Sequence, residues 1–532
     1  MGVPLKTENE ENPATESRTG LKGGRAMDVY PWWTEEHKAF DQEIRAFVEE
    51  LMPIDAETRW KREFPWEIFR KISEKGYTAA GVPKEYGGLG LGATGACIAA
   101  EGFNRMPNPG RVFVGNMLGG LRQIIEFGTE EQKQRFLLKI AKGEIGAIVI
   151  TEPFAGTDAA AQEMTARRDG DGYTLSGKKR YIVSAGVASR YMVYARTSDD
   201  PKDREKYRHL TAFIVEKGTP GFSVEKINEI AGFENIQNGV LNFDNVVIPQ
   251  ENRIGGEGEG WRVMTAGLNF ERTLICAQTV GWMTELIRNV VPYAQRRVQF
   301  GKPTITFTNN QFKVADLISR LKIARLLTYY TAYLWDLGWD ITVESNVAKV
   351  FNCEGVMASS LDAIQVMGGD GLTPFYPLST IMNVAKVENI AGGTMEACRL
   401  VICRNGVRQM TDELKMPFRI IHDELGVPVP AGRSPEKQKG MDEGALLKVL
   451  AEDYRVNPGL HMSRDDLKSR FDTDDAGLDE VLTVLEKKGL VKLLRDKKGI
   501  ALAKATYEGL AMAFPPDHYR WFPSWVEANN IF

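Results

Sequence analysis

Thr151-Glu152-Pro153-Phe154-Ala155-Gly156-Thr157-Asp158 closes the β-type run Ala147-Ile148-Val149-Ile150-Thr151 with a Pro and a Gly, and there the texture of this 532-residue chain changes. β-branched residues ending in turn formers read as a strand that runs into a loop. A Gly/Ala-rich turn exposes backbone N–H groups, and its threonines add hydroxyls, which suit the carbonyl and phosphate oxygens of a ligand. A plain strand-to-loop turn is the alternative. Downstream come more short β-rich runs: GYTLSG (172–177), RYIVSA (180–185), RYMVYART (190–197), HLTAFIVE (209–216) and VLNFDNVVI (240–248). Turn formers such as Asp169-Gly170-Asp171-Gly172 and Thr219-Pro220-Gly221 separate them, so residues 148–255 are expected to form a central antiparallel β-domain.

Helical spacing lies on both sides. Residues 28–147 hold FDQEIRAFVEELM (40–52) and EIFRKISEKGYTAAGV (67–82), predicting a helical N-terminal domain. Long helical segments return at 261–291, 309–335 and 343–367. With short connections they predict a C-terminal four-helix bundle over 256–425, and the chain as a whole reads as α+β and multidomain. A Pro/Gly/charge-rich stretch, VPVPAGRSPEKQKG, marks a linker at 426–440. Residues 441–510 read as a small winged-helix-like module, and 511–532 form an aromatic tail with Tyr519, Trp521, Phe522 and Trp525. Residues 1–27 are polar, without an apolar stretch, and read as a disordered tail.

Composition narrows the function classes. Hydrophobic residues make up 43% and charged ones 26%, with a net charge of -4, so no global basic field recommends nucleic acid or an anionic membrane. Cys97, Cys276, Cys353, Cys398 and Cys403 are scattered and never form C-x-x-C. That suits a reducing compartment, and a cytoplasmic location is expected. The five histidines stand far apart, so no metal site is expected. No apolar run reaches the roughly 18 residues of a membrane span.

The opening octapeptide closely resembles the T-E-P-x-A-G-S-D signature of the acyl-CoA dehydrogenase family. Further matches follow in order: GYTAAGVPKEYGGLG (76–90), RRVQFGKP (296–303), IQVMGGDG (364–371) with YP after it, and GGT (392–394) before CRLVICR. The resemblance spans about 28–409. It implies FAD as cofactor, an acyl-CoA thioester as substrate, an electron-transferring flavoprotein as acceptor and a homotetramer or homodimer. By resemblance Thr151 contacts the flavin ring and Thr157 the cofactor or substrate phosphates. Thr394, in the GGT segment, is likewise assigned to the cofactor. Arg297 matches the Arg that binds the FAD pyrophosphate, often from a neighbouring subunit; a solvated Arg beside Arg296 is the alternative. Gln365, Gly368 and Gly369 match the segment that approaches the adenosine, where a side chain would block the backbone.

α,β-Dehydrogenation needs a base for the α-proton, an acceptor for the β-hydride and hydrogen bonds to the thioester oxygen. Many members place the base as the Glu of I-Y-E-G-T, but here Ile390-Ala391-Gly392-Gly393-Thr394 puts Gly392 at that position. Isovaleryl- and long-chain-type members carry it earlier, in a segment like L-x-x-E-R, and Leu268-Asn269-Phe270-Glu271-Arg272 matches this. Glu271 is therefore the expected base, with the Gly392 N–H still able to serve the thioester oxygen. Asn269 and Arg272 are expected beside the substrate. A surface carboxylate paired with a neighbouring cation is the bland reading of Glu271.

Two departures stand out. Tyr181-Ile182-Val183 replaces W-[IV]-[ST], so Tyr181 can cover the ring but Val183 cannot donate a hydroxyl, and Thr308 stands where the family has Gln. Arg111 falls near the Arg that holds the second carboxylate in glutaryl-CoA-type members; a surface or structural Arg is the main reading, and substrate binding, with a dicarboxylyl substrate, is the alternative. Gly90-Leu91-Gly92-Ala93-Thr94-Gly95 spells G-x-G-x-x-G, yet no buried strand precedes it, so it reads as a loop entering a helix and not a nicotinamide site.

The C-terminal module carries 12 Lys/Arg against 14 Asp/Glu over 441–510, and its candidate recognition helix opens with Asp474, Asp475, Asp479 and Glu480. Carboxylates there oppose phosphates, which argues against nucleic acid and for a protein-docking or oligomerisation role. Lys487, Lys488, Lys492, Lys497 and Lys498 cluster about the wing. Three other functions on this fold remain open. An acyl-CoA oxidase would reoxidise rapidly in air, a flavin monooxygenase would need no base at Glu271, and a non-catalytic nucleic-acid-binding relative would bleach with no thioester.

Overall fold

The computed structural model describes residues 30–61, 63–414, 440–456, 459–496 and 499–514. The expected tail at 1–27, the linker at 426–439, Lys497, Lys498 and the aromatic residues 519–525 lie outside the described residues. Contacts divide the chain into two compact units, Met1–Arg399 and Leu400–Phe532.

The first unit begins with helices α1 (Glu35–Thr58), α2 (Trp66–Glu74), α3 (Gly92–Phe103), α4 (Pro107–Leu118), α5 (Leu121–Phe127) and α6 (Glu130–Ala141). Thr34 and Thr129 start α1 and α6 with capping boxes, each side chain accepting a backbone N–H from the first turn. Along α1, Phe40, Ile44, Phe47, Val48 and Leu51 recur on one face and are buried. The glycine-rich loop at 90–95 leads into α3, and the Asp336 side chain accepts from Ala93 N and Thr94 N. That helix start is filled by the protein's own carboxylate.

Strands β1 (Gly146–Val149), β2 (Thr165–Asp169), β3 (Gly172–Ile182), β4 (Arg190–Arg196), β5 (Leu210–Glu216), β6 (Phe222–Ile227), β7 (Gly239–Pro249) and β8 (Arg253–Ile254) form one sheet, ordered β6-β7-β3-β2-β4-β5-β8. A short helix, α7 (Pro201–Glu205), interrupts the β-rich stretch. The sheet is mainly antiparallel, but β1 lies parallel to β4 with Gly146 opposite Arg190. The cause is topological: the β2–β3 hairpin intervenes, and the chain returns in the direction of β1. β3 slips register against β7 between Lys179 and Ile182. Such an irregularity re-aims the intervening side chain, here Tyr181.

Four long or medium helices follow: α8 (Gly260–Arg296), α9 (Thr308–Asp336), α10 (Thr342–Met367) and α11 (Leu378–Glu388), then α12 (Met395–Val401). At 37 residues α8 is about 55 Å long. It contacts α3, α4, α5, α9, α10 and α11, so nearly every side chain from Phe270 to Met283 is buried. No helix among the described residues is long and apolar enough to cross a membrane.

In the second unit, helix Glu443–Val456, strand Met462–Ser463 and helices Arg464–Arg470 and Asp475–Lys487 precede the paired strands Val491–Asp496 and Gly499–Ala505. Leu446, Leu450, Leu467, Phe471, Leu478, Leu482 and Leu485 fill its core. Two carboxylates in the first turns of the helix Asp475–Lys487 are answered within the unit. Asp475 pairs with Lys468 at 2.8 Å, and Asp479 with Arg464 at 2.6 Å.

Candidate functional site

Glu271 stands in the most enclosed stretch of α8, at 5% exposure. Among the described residues its carboxylate has no hydrogen bond or ion pair. The surface ion pair that would make it ordinary is therefore missing. Burial pushes its carboxyl above the usual range; Arg111 opposes this, Glu388 reinforces it, and Arg272 and Lys349 oppose it. Its neighbours spend their hydrogen bonds elsewhere. Arg272 Nε donates to the Gly392 carbonyl at 3.1 Å and Nη1 to Asn269 Oδ1 at 3.0 Å, while Asn269 Nδ2 donates to Thr342 Oγ1 at 3.1 Å. The buried Lys349 ammonium donates to the Gly393 carbonyl.

Two cations thus clamp the double-glycine turn, where Gly392 and Gly393 have φ of 63° and 96°. These are left-handed conformations that favour glycine. A Cβ built on Gly392 would lie 3.0 Å from Ile275 Cδ1 and 3.5 Å from Glu271 Oε1. The two places where a base was sought, 121 residues apart in sequence, therefore open on one space. Thr394 Oγ1 accepts from Ala397 N at 3.2 Å, at the start of α12.

Arg111 has an internal partner, as its structural reading expects. It is buried on α4, and its Nε lies 2.7 Å from Glu388 Oε1, which also accepts from Gln278 Nε2 at 3.1 Å. Its charge is met by an internal carboxylate, so it does not stand open for a second carboxylate on a substrate. Lys349, Glu388 and Gln278 were missed by sequence reasoning. The one available signal was the polar stripe Ser345, Lys349 and Asn352, all buried on α10, where core spacing calls for apolar residues.

On the sheet side, the Thr151 carbonyl accepts from Arg180 N at 2.8 Å, joining the signature loop to the end of β3. Buried Lys179 organises that loop. Its ammonium lies 2.8 Å from Glu152 Oε1 and donates to the Ile150 carbonyl and to Gln162. Glu152 in turn accepts from Glu163 N and Met164 N. Burial lowers the Lys179 ammonium to about 8, against the pull of Glu152. Tyr181 is 51% exposed in left-handed backbone with φ 58°, its ring 4.2 Å from the Arg180 guanidinium.

Val183 packs towards the bundle. A Cβ on Gly115 would meet Val183 at 3.3 Å and Arg111 Nη1 at 3.9 Å, so the end of β3 and the Arg111 cluster adjoin. Ser184, next to it, is buried with its hydroxyl unpartnered among the described residues. The N–H groups of Gly156 and Thr157 and the Thr157 hydroxyl make no hydrogen bond among the described residues. Unspent donors beside an exposed aromatic in strained backbone fit a flavin with its polar ring edge and phosphates.

Arg297, Gln365, Gly368 and Gly369 are exposed at the other end of the bundle, with Thr308 at the start of α9. Arg297 has no ion pair among the described residues. A Cβ on Gly368 or Gly369 would meet nothing, but Gly368 has φ of 64°, a backbone that favours glycine by itself, so only at Gly369 does the chain make no demand for it. Arg297 lies 26 residues beyond Glu271 on a continuous helix, about 39 Å along its axis. Within one chain Arg297 therefore stands far from the Glu271 site.

Comparison with known proteins agrees with this architecture. The N-terminal, middle and C-terminal domain models of acyl-CoA dehydrogenase match residues 34–144, 147–246 and 258–407. A short-chain-specific acyl-CoA dehydrogenase of Clostridium acetobutylicum is 36% identical over 373 residues, covering 69% of this chain and 97% of the relative. The solved butyryl-CoA dehydrogenase from Megasphaera elsdenii has a TM-score of 0.68 and 32% identity, over 72% of this chain and 100% of that one. A chain from structural work on the electron transferring flavoprotein of Acidaminococcus fermentans has a TM-score of 0.68 and 33% identity, over 71% and 100%. With three consecutive domains and nearly the whole length of these relatives accounted for, the chain belongs to the acyl-CoA dehydrogenase family, FAD-dependent oxidoreductases acting on the CH–CH bond of acyl-CoA.

Proposed function

We propose that this protein desaturates an acyl-CoA thioester between Cα and Cβ, with Glu271 as the base, and passes the electrons to an electron-transferring flavoprotein. One observation carries the reading: a buried carboxylate without a partner faces the vacated Gly392 position. Desolvation makes such a group basic, and closure over an apolar acyl chain would strengthen the effect. Glu271 takes the α-proton, and the turn clamped by Arg272 and Lys349 offers the Gly392 N–H to the thioester oxygen as negative charge grows there. FAD, when bound, supplies the acceptor for the β-hydrogen and its electron pair. The double bond forms from the electrons left by the α-proton. Thr151, Gly156, Thr157 and Tyr181 would hold the flavin side. The adenosine and pyrophosphate would rest on Gln365, Gly368, Gly369 and Arg297 of a second copy, a reading supported by the roughly 39 Å between Arg297 and Glu271 along α8. That makes a homodimer or homotetramer the functional form.

The test is anaerobic titration of FAD-loaded protein with a panel of acyl-CoA thioesters, following flavin absorbance. Some thioester should bleach the wild type, and Glu271→Gln should slow bleaching by roughly 10²–10⁴-fold. Undiminished bleaching in the variant would remove Glu271 from this role. No bleaching with any thioester would count against the reaction itself.

A further inference from the structure

The base has a charged neighbourhood that packing alone does not require. Arg111 on α4 and Glu388 on α11 form a buried ion pair at 2.7 Å, their side chains 3% and 0% exposed. The pair is incompletely satisfied. Arg111 Nη1, Glu388 Oε2 and Gln278 Oε1 are all buried without a hydrogen-bond partner. Replacing such a pair by apolar side chains is often neutral or stabilising, so its presence asks for a reason other than fold stability.

Location supplies one. Gln278, which holds Glu388, is seven residues beyond Glu271 on α8, two turns along the same face. Glu388 ends α11, four residues before the Gly392 turn that opens on Glu271. The pair therefore joins the three elements that enclose the base: the helix that carries it, the helix leading to its turn, and α4.

We infer that the Arg111–Glu388 pair, braced by Gln278, is a positioning device that supplies balanced charge behind Glu271 and so decides at which pH the base is ionised. This rests on the proposed role of Glu271. The groups facing Glu271 are Arg111 from α4, Glu388 from α11, Lys349 from α10, Arg272 from its own helix and Tyr194 from β4. Arg272 and Lys349 are committed to the turn carbonyls. The Tyr194 hydroxyl is buried and pushed far above neutrality, so it stays uncharged. Within this set the Arg111–Glu388 pair is the one whose two charges cancel, so breaking it from either side should move the base in opposite directions.

Glu388→Gln leaves the Arg111 cation uncompensated, which favours the Glu271 carboxylate. The acidic limb of kcat/KM should then move down by about half to one pH unit. Arg111→Gln removes the favourable cation and leaves Glu388 facing the base, which should move the limb up. The double variant should lie between the two single ones. The measurement is the pH profile of anaerobic flavin reduction by the best thioester, on FAD-loaded protein, with Glu271→Gln alongside. If the limb stays at the wild-type pH in both folded single variants yet vanishes in Glu271→Gln, the positioning role is overturned and the base survives. If the limb persists in Glu271→Gln, the base assignment fails instead. Should Glu388→Gln not fold, the Arg111→Gln shift and its partial reversal in the double variant decide the matter alone.

Discussion

At the scale of single residues, the site turns on what position 392 lacks. Its φ of 63° and the 3.0 Å approach to Ile275 leave no comfortable room for a Cβ. Gly392→Ala should cost about 1–3 kcal/mol of stability through backbone strain, and it should crowd the proposed base. We expect turnover to fall at least tenfold with FAD retained, by steady-state assay and flavin absorbance; activity within twofold of wild type would contradict the shared-space reading. Glu271 could be proposed from the sequence because Leu268-Asn269-Phe270-Glu271-Arg272 resembles the L-x-x-E-R segment of some members and complements the loss at 392, and the structure adds its burial. Lys349 and Glu388 were not legible. Each is a lone charge on a helix, given meaning by partners far away in sequence: the Gly393 carbonyl for one and Arg111 for the other. Arg111 was noticed, and its structural reading was weighed against a substrate carboxylate, but sequence cannot show which internal carboxylate faces it.

At the scale of elements, the signature loop owes its shape to Lys179 on β3. One ammonium gathers the Ile150 carbonyl, Glu152 and Gln162, and Glu152 fastens the loop's far end through Glu163 N and Met164 N. Lys179→Met strands the Glu152 carboxylate in the interior, an error that typically costs about 3–5 kcal/mol. FAD should be lost on gel filtration more readily than from wild type, and unchanged retention would show that the loop does not need the hub. The pH sign follows from the depressed ammonium. Between about 8 and the ordinary Lys value near 10.5, the unfolded chain binds more protons than the folded one. Stability contributed at this site should therefore rise with pH across that window, and the slope should be absent from Lys179→Met when melting temperatures are compared. Periodicity and turn formers made the strands and helices readable. The parallel pairing of β1 with β4 was not readable, because local pattern specifies a strand but not its neighbour.

At the scale of the molecule, the proposed base lies in the first third of α8 and the exposed residues proposed for the cofactor lie towards its far end, so the proposed function calls for more than one copy. Exposed apolar side chains gather near that second end: Phe300 is 95% exposed, Phe375 85% and Leu372 61%. Apolar surface of this kind marks association sites. Light scattering should return a dimer or tetramer, and Phe375→Asp should lower both the mass and the FAD content together. A wild-type monomer that keeps its full FAD would defeat the two-copy site. The placement of Glu271 has a mechanical consequence as well. It is the twelfth residue of a 37-residue helix, fastened by intrahelical bonds on both sides. Facing it is only a bend of two glycines beneath two cations. On the proposed function the proton acceptor is thus a fixed post, aimed by the bonds of its own helix and not by whichever thioester arrives.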